Sequence, residues 1–472
     1  MPAPISLRMM SGEHNSFEGV SAWKQAISSE RLVVSEVWSC LQNNNNNEYY
    51  LSLATGAYNN NNKNNRYYVV PIESDELIDV VFEAEADCWR NKHSSWDAAK
   101  YHYHCGRIWS FIDNLAYGDY EIWKSICFVV LYPKPREIFA AHYRDRIAHH
   151  IVCPYMRYIA ECVHRANGDV SFGNRKNMSA WHACLRVQEL MRRHPNGYVA
   201  TFDVRSFFMS IDKDVAWNVY LEYEERYRPD WIGENMVKFI LNLTKMMIYH
   251  NPATNCEKKS PDYMWSFIAQ TKSLFYMCGI PIGNYYAQLI ANLILALVCT
   301  LLGEYDIAEF VDDFISVIET VAEFHKVEET FRFALSLLKL EQSMNKVYIQ
   351  PVRHGVLWCG YVIRPNRMYV SNRPIKNCYE KIREAQKEVN LYNARSLMCS
   401  INSYAGMLCH CAEYNTSKAI CSTVMHSGYR RYLYFRRKSG MMMCSVRRRY
   451  TRRQMSMRDI ESVDNYVKTF KY

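Results

Sequence analysis

Two adjacent aspartates, Asp312 and Asp313, stand in a mostly apolar run from Ile307 to Ile318. Apolar residues on both sides predict a hairpin with two carboxylates at its bend. Like charges a few ångströms apart repel by about 1 kcal/mol in water, and by more where water is scarce. A hard divalent cation removes that conflict, because Mg2+ takes carboxylate oxygens together with phosphates. A third carboxylate, Asp203, ends a separate apolar stretch, Tyr198–Phe202, which predicts a strand. If the two strands lie side by side, Asp203 and Asp312 meet at one point. That is a ligand set for two-metal phosphoryl transfer. An Asp-Asp pair standing alone is more often a turn or a cap.

The elements around these residues read as a mixed fold. Strand character is expected over Ile126–Leu131, stopped by Pro133 and Pro135, and helix over Arg136–Ile159 and Ser179–Arg193. The turn Gly279-Ile280-Pro281-Ile282-Gly283 opens a buried helix, Asn284–Leu302. Its apolar part is broken by Asn292 and falls short of the roughly 20 residues that a spanning helix needs. Helix 321–340 follows, then strands near Val347–Ile349, Val356–Ile363 and Met368–Val370, then helices over 374–427. This order predicts an α+β fold with a small antiparallel sheet. Residues 1–72 carry two asparagine tracts and read as an appendage with flexible loops.

Composition sets wider limits. The 472 residues are 49% apolar and 22% charged, which excludes global disorder, collagen and a simple coiled coil. Fifty-seven Lys and Arg against 48 Asp and Glu give a net charge of +9, which suits a polyanionic partner without demanding one. From Tyr414 to Arg458 there is no acidic residue but there are twelve Lys and Arg, densest at Arg447, Arg448 and Arg449, with aromatic residues interleaved. Such a run favours a nucleic-acid backbone over a solvated tail. Seventeen cysteines show no paired zinc spacing; free thiols in a reducing cytoplasm are expected, with no signal peptide and no membrane span.

Read in order, the motifs form a set: Phe202-Asp203-Val204-Arg205-Ser206-Phe207-Phe208, then Ile282-Gly283-Asn284-Tyr285-Tyr286-Ala287-Gln288, then Phe310-Val311-Asp312-Asp313. This resembles the palm of reverse transcriptases, with first-aspartate, glycine-turn and Tyr-x-Asp-Asp motifs in family order. Pro133-Lys134-Pro135-Arg136 through Arg144-Asp145-Arg146 to His149-His150, and Ser171-Phe172-Gly173-Asn174-Arg175, are similar to fingers motifs. Asn345-Lys346 and Trp358-Cys359-Gly360-Tyr361 match later palm motifs, and Ser403-Tyr404-Ala405-Gly406 is similar to a thumb signature. The resemblance spans about residues 75–435. Within the family it is nearest to diversity-generating retroelements, through the two histidines, Ile282-Gly283 with Gln288, and the stretch from Lys346 to Arg373. Two hydroxyls of the family pattern are missing, at Ala287 and Phe310.

The resemblance implies a right-hand polymerase: an N-terminal extension over 1–72, fingers over 73–197, palm over 198–372, thumb over 373–435 and a basic tail over 436–472. It implies that Asp203 and Asp312 hold two Mg2+ ions, with Mn2+ as an alternative, helped by Asp313 and the carbonyl of Val204. Lys134 and Arg136 would clamp a deoxynucleoside triphosphate, and Phe208 would exclude a 2′-hydroxyl. Ile282, Gly283 and Gln288 would lie at the nascent pair, and Lys346 would protonate pyrophosphate. Arg144, Arg146, Arg175 and Arg447–Arg449 would contact nucleic acid. The implied activity is cDNA synthesis on a structured template RNA, error-prone at template adenines, in a bacterial or phage-infected cell. A small basic pentameric accessory protein is the implied partner. A retron-like or defence-associated reverse transcriptase, a non-catalytic RNA-binding scaffold and a two-metal nuclease are the alternatives.

Overall fold

The computed structural model describes residues 74–450, apart from 93–94, 132–133, 269–272, 276–278 and 412. The asparagine-rich appendage and the basic run beyond 450 lie outside the described residues. In chain order the helices are α1 (Ser74–Lys92), α2 (Trp96–Tyr103), α3 (Cys105–Ala116), α4 (Tyr143–Ala166), α5 (Ala180–Arg193), α6 (Phe207–Ser210), α7 (Lys213–Tyr227), α8 (Glu234–Tyr249), α9 (Asp262–Ile268), α10 (Tyr285–Leu301), α11 (Val321–Leu337), α12 (Asn372–Gln386), α13 (Leu391–His410) and α14 (Tyr414–Met425). The strands are β1 (Ser125–Val130), β2 (Arg136–Ala140), β3 (Tyr198–Asp203), β4 (Cys256–Lys258), β5 (Ile307–Phe310), β6 (Asp313–Ile318), β7 (Tyr348–Pro351), β8 (Val356–Trp358), β9 (Tyr361–Arg364), β10 (Arg367–Val370), β11 (Leu433–Lys438) and β12 (Met441–Val446). The fold is mixed helix and sheet, and its sheets are small. Among the described residues no helix is long and apolar enough to cross a membrane.

Two compact units share these elements. The first gathers the described residues up to 168 with 205–298 and 332–341. Its three-stranded sheet runs β2-β1-β4. Helix was expected from Arg136, yet Arg136–Ala140 is a strand paired antiparallel with β1, and α4 starts only at Tyr143. Buried Phe139 alternates with half-exposed Ile138 and Ala140, the period-two pattern of a strand. Helical periodicity holds only beyond it.

The second unit gathers 169–204, 299–331 and the described residues from 342. Its main sheet has the order β5-β6-β3-β7. The pairing of β3 with β6 puts Val199 opposite Val317, Thr201 opposite Ile315 and Asp203 opposite Asp313. Side chains alternate across a strand, so these six share one face. Val199, Ile315 and Val317 bury there in a core with Ala183, Val187 and Leu190 of α5. Phe202 and Phe314 take the opposite face and pack on Phe331, with ring centroids 5.3 and 5.1 Å away. A one-residue slip of β3 would exchange those two sets, so burial on both faces fixes the register.

The expected strand Val356–Ile363 is two strands, β8 and β9, reversed at Cys359-Gly360, both with positive φ. The region expected to be tail from 436 is folded as the second half of a hairpin, β11–β12. Asn402 of α13 clamps it from outside: its amide donates to the Cys444 carbonyl at 2.9 Å, and its oxygen accepts from the Cys444 N–H at 2.8 Å.

Candidate active site

Asp203 ends β3 and Asp313 begins β6, directly opposite each other on one face. Asp203 is 4% exposed. Two carboxylates in a cross-strand pair repel, and a third element answers that repulsion. A single turn, Met344–Lys346, precedes β7, and the Lys346 ammonium lies 2.5 Å from Asp203 Oδ1 and 3.5 Å from Asp313 Oδ1. The turn is tied to β3 at both ends: Thr201 Oγ1 donates to the Lys346 carbonyl at 2.9 Å, and the Ser343 N–H donates to the Asp203 carbonyl at 2.8 Å. Val204 continues from Asp203 into a bridge with Gln342.

Protonation follows from this geometry. Burial, then the Asp312 charge, push the Asp313 carboxyl up to about 6, while Lys346 opposes the shift. For Lys346, burial works against the charge, but the Asp203 hydrogen bond and the surrounding carboxylates outweigh it and raise its pKa.

Asp312 stands one residue before β6, in the two-residue turn Val311-Asp312 that joins Phe310 to Asp313. The aspartate directly opposite Asp203 is therefore Asp313, where the spacing had suggested Asp312. Val311 has φ 64°, a left-handed conformation that a β-branched residue rarely adopts. The segment Asp169–Arg175 runs along β5 and braces it. Glu309 N–H donates to the Val170 carbonyl at 2.8 Å, and Phe172 N–H to the Glu309 carbonyl at 3.0 Å. At Gly173 a Cβ would come within 2.8 Å of both the Val311 nitrogen and its Cγ2, so only glycine lets the two backbones approach this closely.

Sequence reasoning missed Glu309. It is 1% exposed, and burial pushes its carboxyl up to about 8; Asp312 adds to the rise, while Ser171 and Arg175 oppose it. An acid inside the apolar strand Ile307–Phe310 was the available signal. Arg175, expected at nucleic acid, has a side chain only 4% exposed. It donates to the Ser171 carbonyl at 2.8 Å and pairs with Asp169 at 2.7 Å, which holds the brace together.

In the first unit the glycine turn is tied to two neighbouring elements. Ile280 N–H donates to the Phe208 carbonyl at 2.8 Å, and Phe139 N–H to the Ile282 carbonyl at 2.9 Å. The glycine turn thereby joins α6 to β2, the strand that begins with exposed Arg136. At Gly283, φ +114° and a Cβ position 2.8 Å from the Phe139 carbonyl require glycine. Lys134 and Gln288 are exposed nearby in sequence. Arg144 is buried instead: its guanidinium lies 4.0 Å over Trp123, donates to the Glu121 carbonyl and faces Asp145. Half-buried Arg146 donates to the Ala141 carbonyl at 2.9 Å. Arg447 and Arg449 donate to the carbonyls of Arg430 and Arg431, closing the base of the β11–β12 hairpin.

Among the described residues, no three His, Cys, Asp or Glu side chains are grouped as a metal cluster. What the second unit offers is a pair of hard oxygen donors that already hold one cation, the Lys346 ammonium. All-oxygen donors suit Mg2+ rather than a soft metal.

No family model matches the chain, and no curated protein sequence matches it. Among solved structures, the chain is similar to telomerase from Candida albicans in complex with a TWJ fragment of telomeric RNA, at 10% identity and TM-score 0.37, over 64% of this chain and 60% of that one. It is also similar to apo telomerase from Candida tropicalis, at 9% identity and TM-score 0.39, over 65% of this chain and 60% of that one. The chain thus spans about 60% of each telomerase chain it matches.

Proposed function

We propose that the chain is an RNA-directed DNA polymerase of the right-hand type. It would copy a structured template RNA into cDNA from deoxynucleoside triphosphates. One observation carries the proposal: Asp203 and Asp313 lie in register on adjacent strands, share the Lys346 ammonium, and have Asp312 one residue away in a braced turn. Asp203, Asp312 and Asp313 would hold Mg2+ or Mn2+. Bound there, the ions would supply activation of a primer 3′-hydroxyl and charge neutralisation on the leaving pyrophosphate. The 3′-hydroxyl gives up its proton to solvent, its oxygen bonds to the α-phosphorus, and the bond to pyrophosphate breaks. Lys346 Nζ is the proton donor to the departing oxygen. Lys134 and Arg136 would hold triphosphate oxygens, which a guanidinium matches bidentately, and the Phe208 ring would crowd a 2′-hydroxyl.

Within this class we favour the diversity-generating type, cytoplasmic in its host and working with a small basic accessory protein. Most other reverse transcriptases carry Gln in place of Ile282; the alkyl side chain here would forgo a polar contact with the nascent pair, consistent with errors at template adenines.

The test is primer extension by the full chain on an RNA template with a DNA primer and Mg2+ or Mn2+. Extension is expected from the wild type, with Asp203→Asn reducing kcat by roughly 10³-fold or more, the scale for losing a group that acts in the transition state. A wild type that never extends a primer, or an Asp203→Asn variant of full activity, ends the proposal. The subtype stands or falls separately: Ile282→Gln should lower misincorporation at adenines, and an unaltered error spectrum rejects it.

A further inference from the structure

The positive charge of this chain is concentrated in one place. Residues 391–450 contain ten Lys and Arg and a single acid, Glu413. That excess equals the net charge of all 472 residues. The helices under the β11–β12 hairpin, α13 and α14, contain no Asp or Glu.

The hairpin has two different faces. Leu433, Phe435, Cys444 and Val446 belong to the core with α13. By alternation Tyr434, Arg436 and Lys438 of β11 take the other face, opposite Ser445, Met443 and Met441 of β12. Arg436 and Lys438 are exposed, and Tyr434 is half-exposed. The neighbouring cations are committed elsewhere. Arg431 and Arg447 donate to the carbonyls of Val389 and Arg430, and Arg437 lies 6.0 Å over the Tyr414 ring. No ion pair within the described residues engages Arg436 or Lys438, which stand two residues apart along one strand, about 7 Å at the rise of a β-strand. Consecutive phosphates of an extended nucleic-acid strand are spaced on that scale. An aromatic ring beside a cationic row is the pattern that binds unpaired strands, because an unpaired base has a free face to stack.

We propose that the outward face of this hairpin binds unpaired RNA, with Arg436 and Lys438 on successive phosphates and Tyr434 under a base. Only the identification of that RNA as the copied template rests on the polymerase reading. This surface lies on β11, whereas the surface expected from sequence is the Arg447–Arg449 run beyond β12.

The experiment measures binding of the full chain to a fluorescein-labelled, unstructured U-rich RNA across a series of KCl concentrations. Each phosphate contact contributes about 0.7 to the slope of log K against log salt for a single strand. Arg436→Ser with Lys438→Ser should therefore flatten the slope by about 1.4. Arg436→Lys should leave it unchanged. Tyr434→Ser should weaken binding roughly tenfold at fixed salt and keep the slope. An unchanged slope in the double variant, at an unchanged melting temperature, overturns the proposal. So does a double variant that loses binding to phosphatidylserine vesicles while keeping its RNA slope, which would make the face a membrane surface. Asp203→Asn should bind RNA with the wild-type slope. Because no step requires catalysis, a wild type inactive in primer extension removes the polymerase reading and leaves this result standing.

Discussion

The hairpins β5–β6 and β11–β12 are built alike and work in opposite electrostatic regimes. Each reverses through a two-residue turn, Val311-Asp312 in one and Ser439-Gly440 in the other. The first belongs to a four-stranded sheet and carries Glu309, Asp312 and Asp313 close together. The second is a two-stranded ribbon whose cations face water. Burial makes the difference. In the first hairpin desolvation lifts two carboxyls far from their ordinary range and an ammonium must be supplied from another element. In the second, solvent screens the like charges, which can stand side by side at little cost. A buried charge must be positioned by its neighbours, whereas an exposed one needs only a strand to present it.

The largest effect that could break this contrast is at the acidic turn itself. Asp312→Ala should abolish primer extension, a loss of roughly 10³-fold or more in kcat, with RNA binding retained. Binding and extension lost together would point to a purely structural role. Next comes the brace. Gly173→Ala places a methyl against the Val311 nitrogen, and an active group displaced by about 1 Å costs on the order of 100-fold in rate. Kinetic analysis should show kcat reduced and KM for nucleotide little changed. Val311→Gly in the same chain should recover only part of the activity, since it removes Cγ2 and accepts the left-handed turn but leaves the backbone nitrogen 2.8 Å from the added methyl.

Glu309 gives a smaller, pH-dependent effect. Its folded pKa lies above the unfolded one, so its contribution to stability is complete below about pH 4.5 and is lost as pH rises through about 8. Thermal melts should show wild-type Tm falling relative to Glu309→Gln between pH 6 and pH 9; parallel curves would mean that the carboxyl does not titrate there. The smallest change sharpens the other side of the comparison. Ser439 and Gly440 both have positive φ, the requirement of a type I′ turn. Ser439→Asn should stabilise the hairpin by about 0.5 kcal/mol or less, read as a small rise in Tm.

The acidic hairpin, the strand ending at Asp203 and the buried helix after the glycine turn were all legible in the sequence. Each is a local pattern of apolar residues punctuated by Asp, Gly or Pro. Arg136–Ala140 was not, because a five-residue apolar alternation preceding a long helix reads as that helix's first turn. Arg144 and Arg175 look like surface cations in the sequence. Nothing local announces that the first guanidinium will lie over the Trp123 and Tyr120 rings, or that Asp169 and the Ser171 carbonyl will hold the second.

The sequence by itself determined which residues could do chemistry: three aspartates, a lysine, and a long run of cations without acids. The Ser439-Gly440 reversal was not read from it, because the stretch from 436 was expected to be a basic tail. Only the tertiary structure decided that Asp313 rather than Asp312 opposes Asp203, because register is set by burial on both faces of the sheet. Only the tertiary structure decided that Val311 is left-handed, because the conformation is unfavourable for valine alone and occurs where Gly173 packs closely against it.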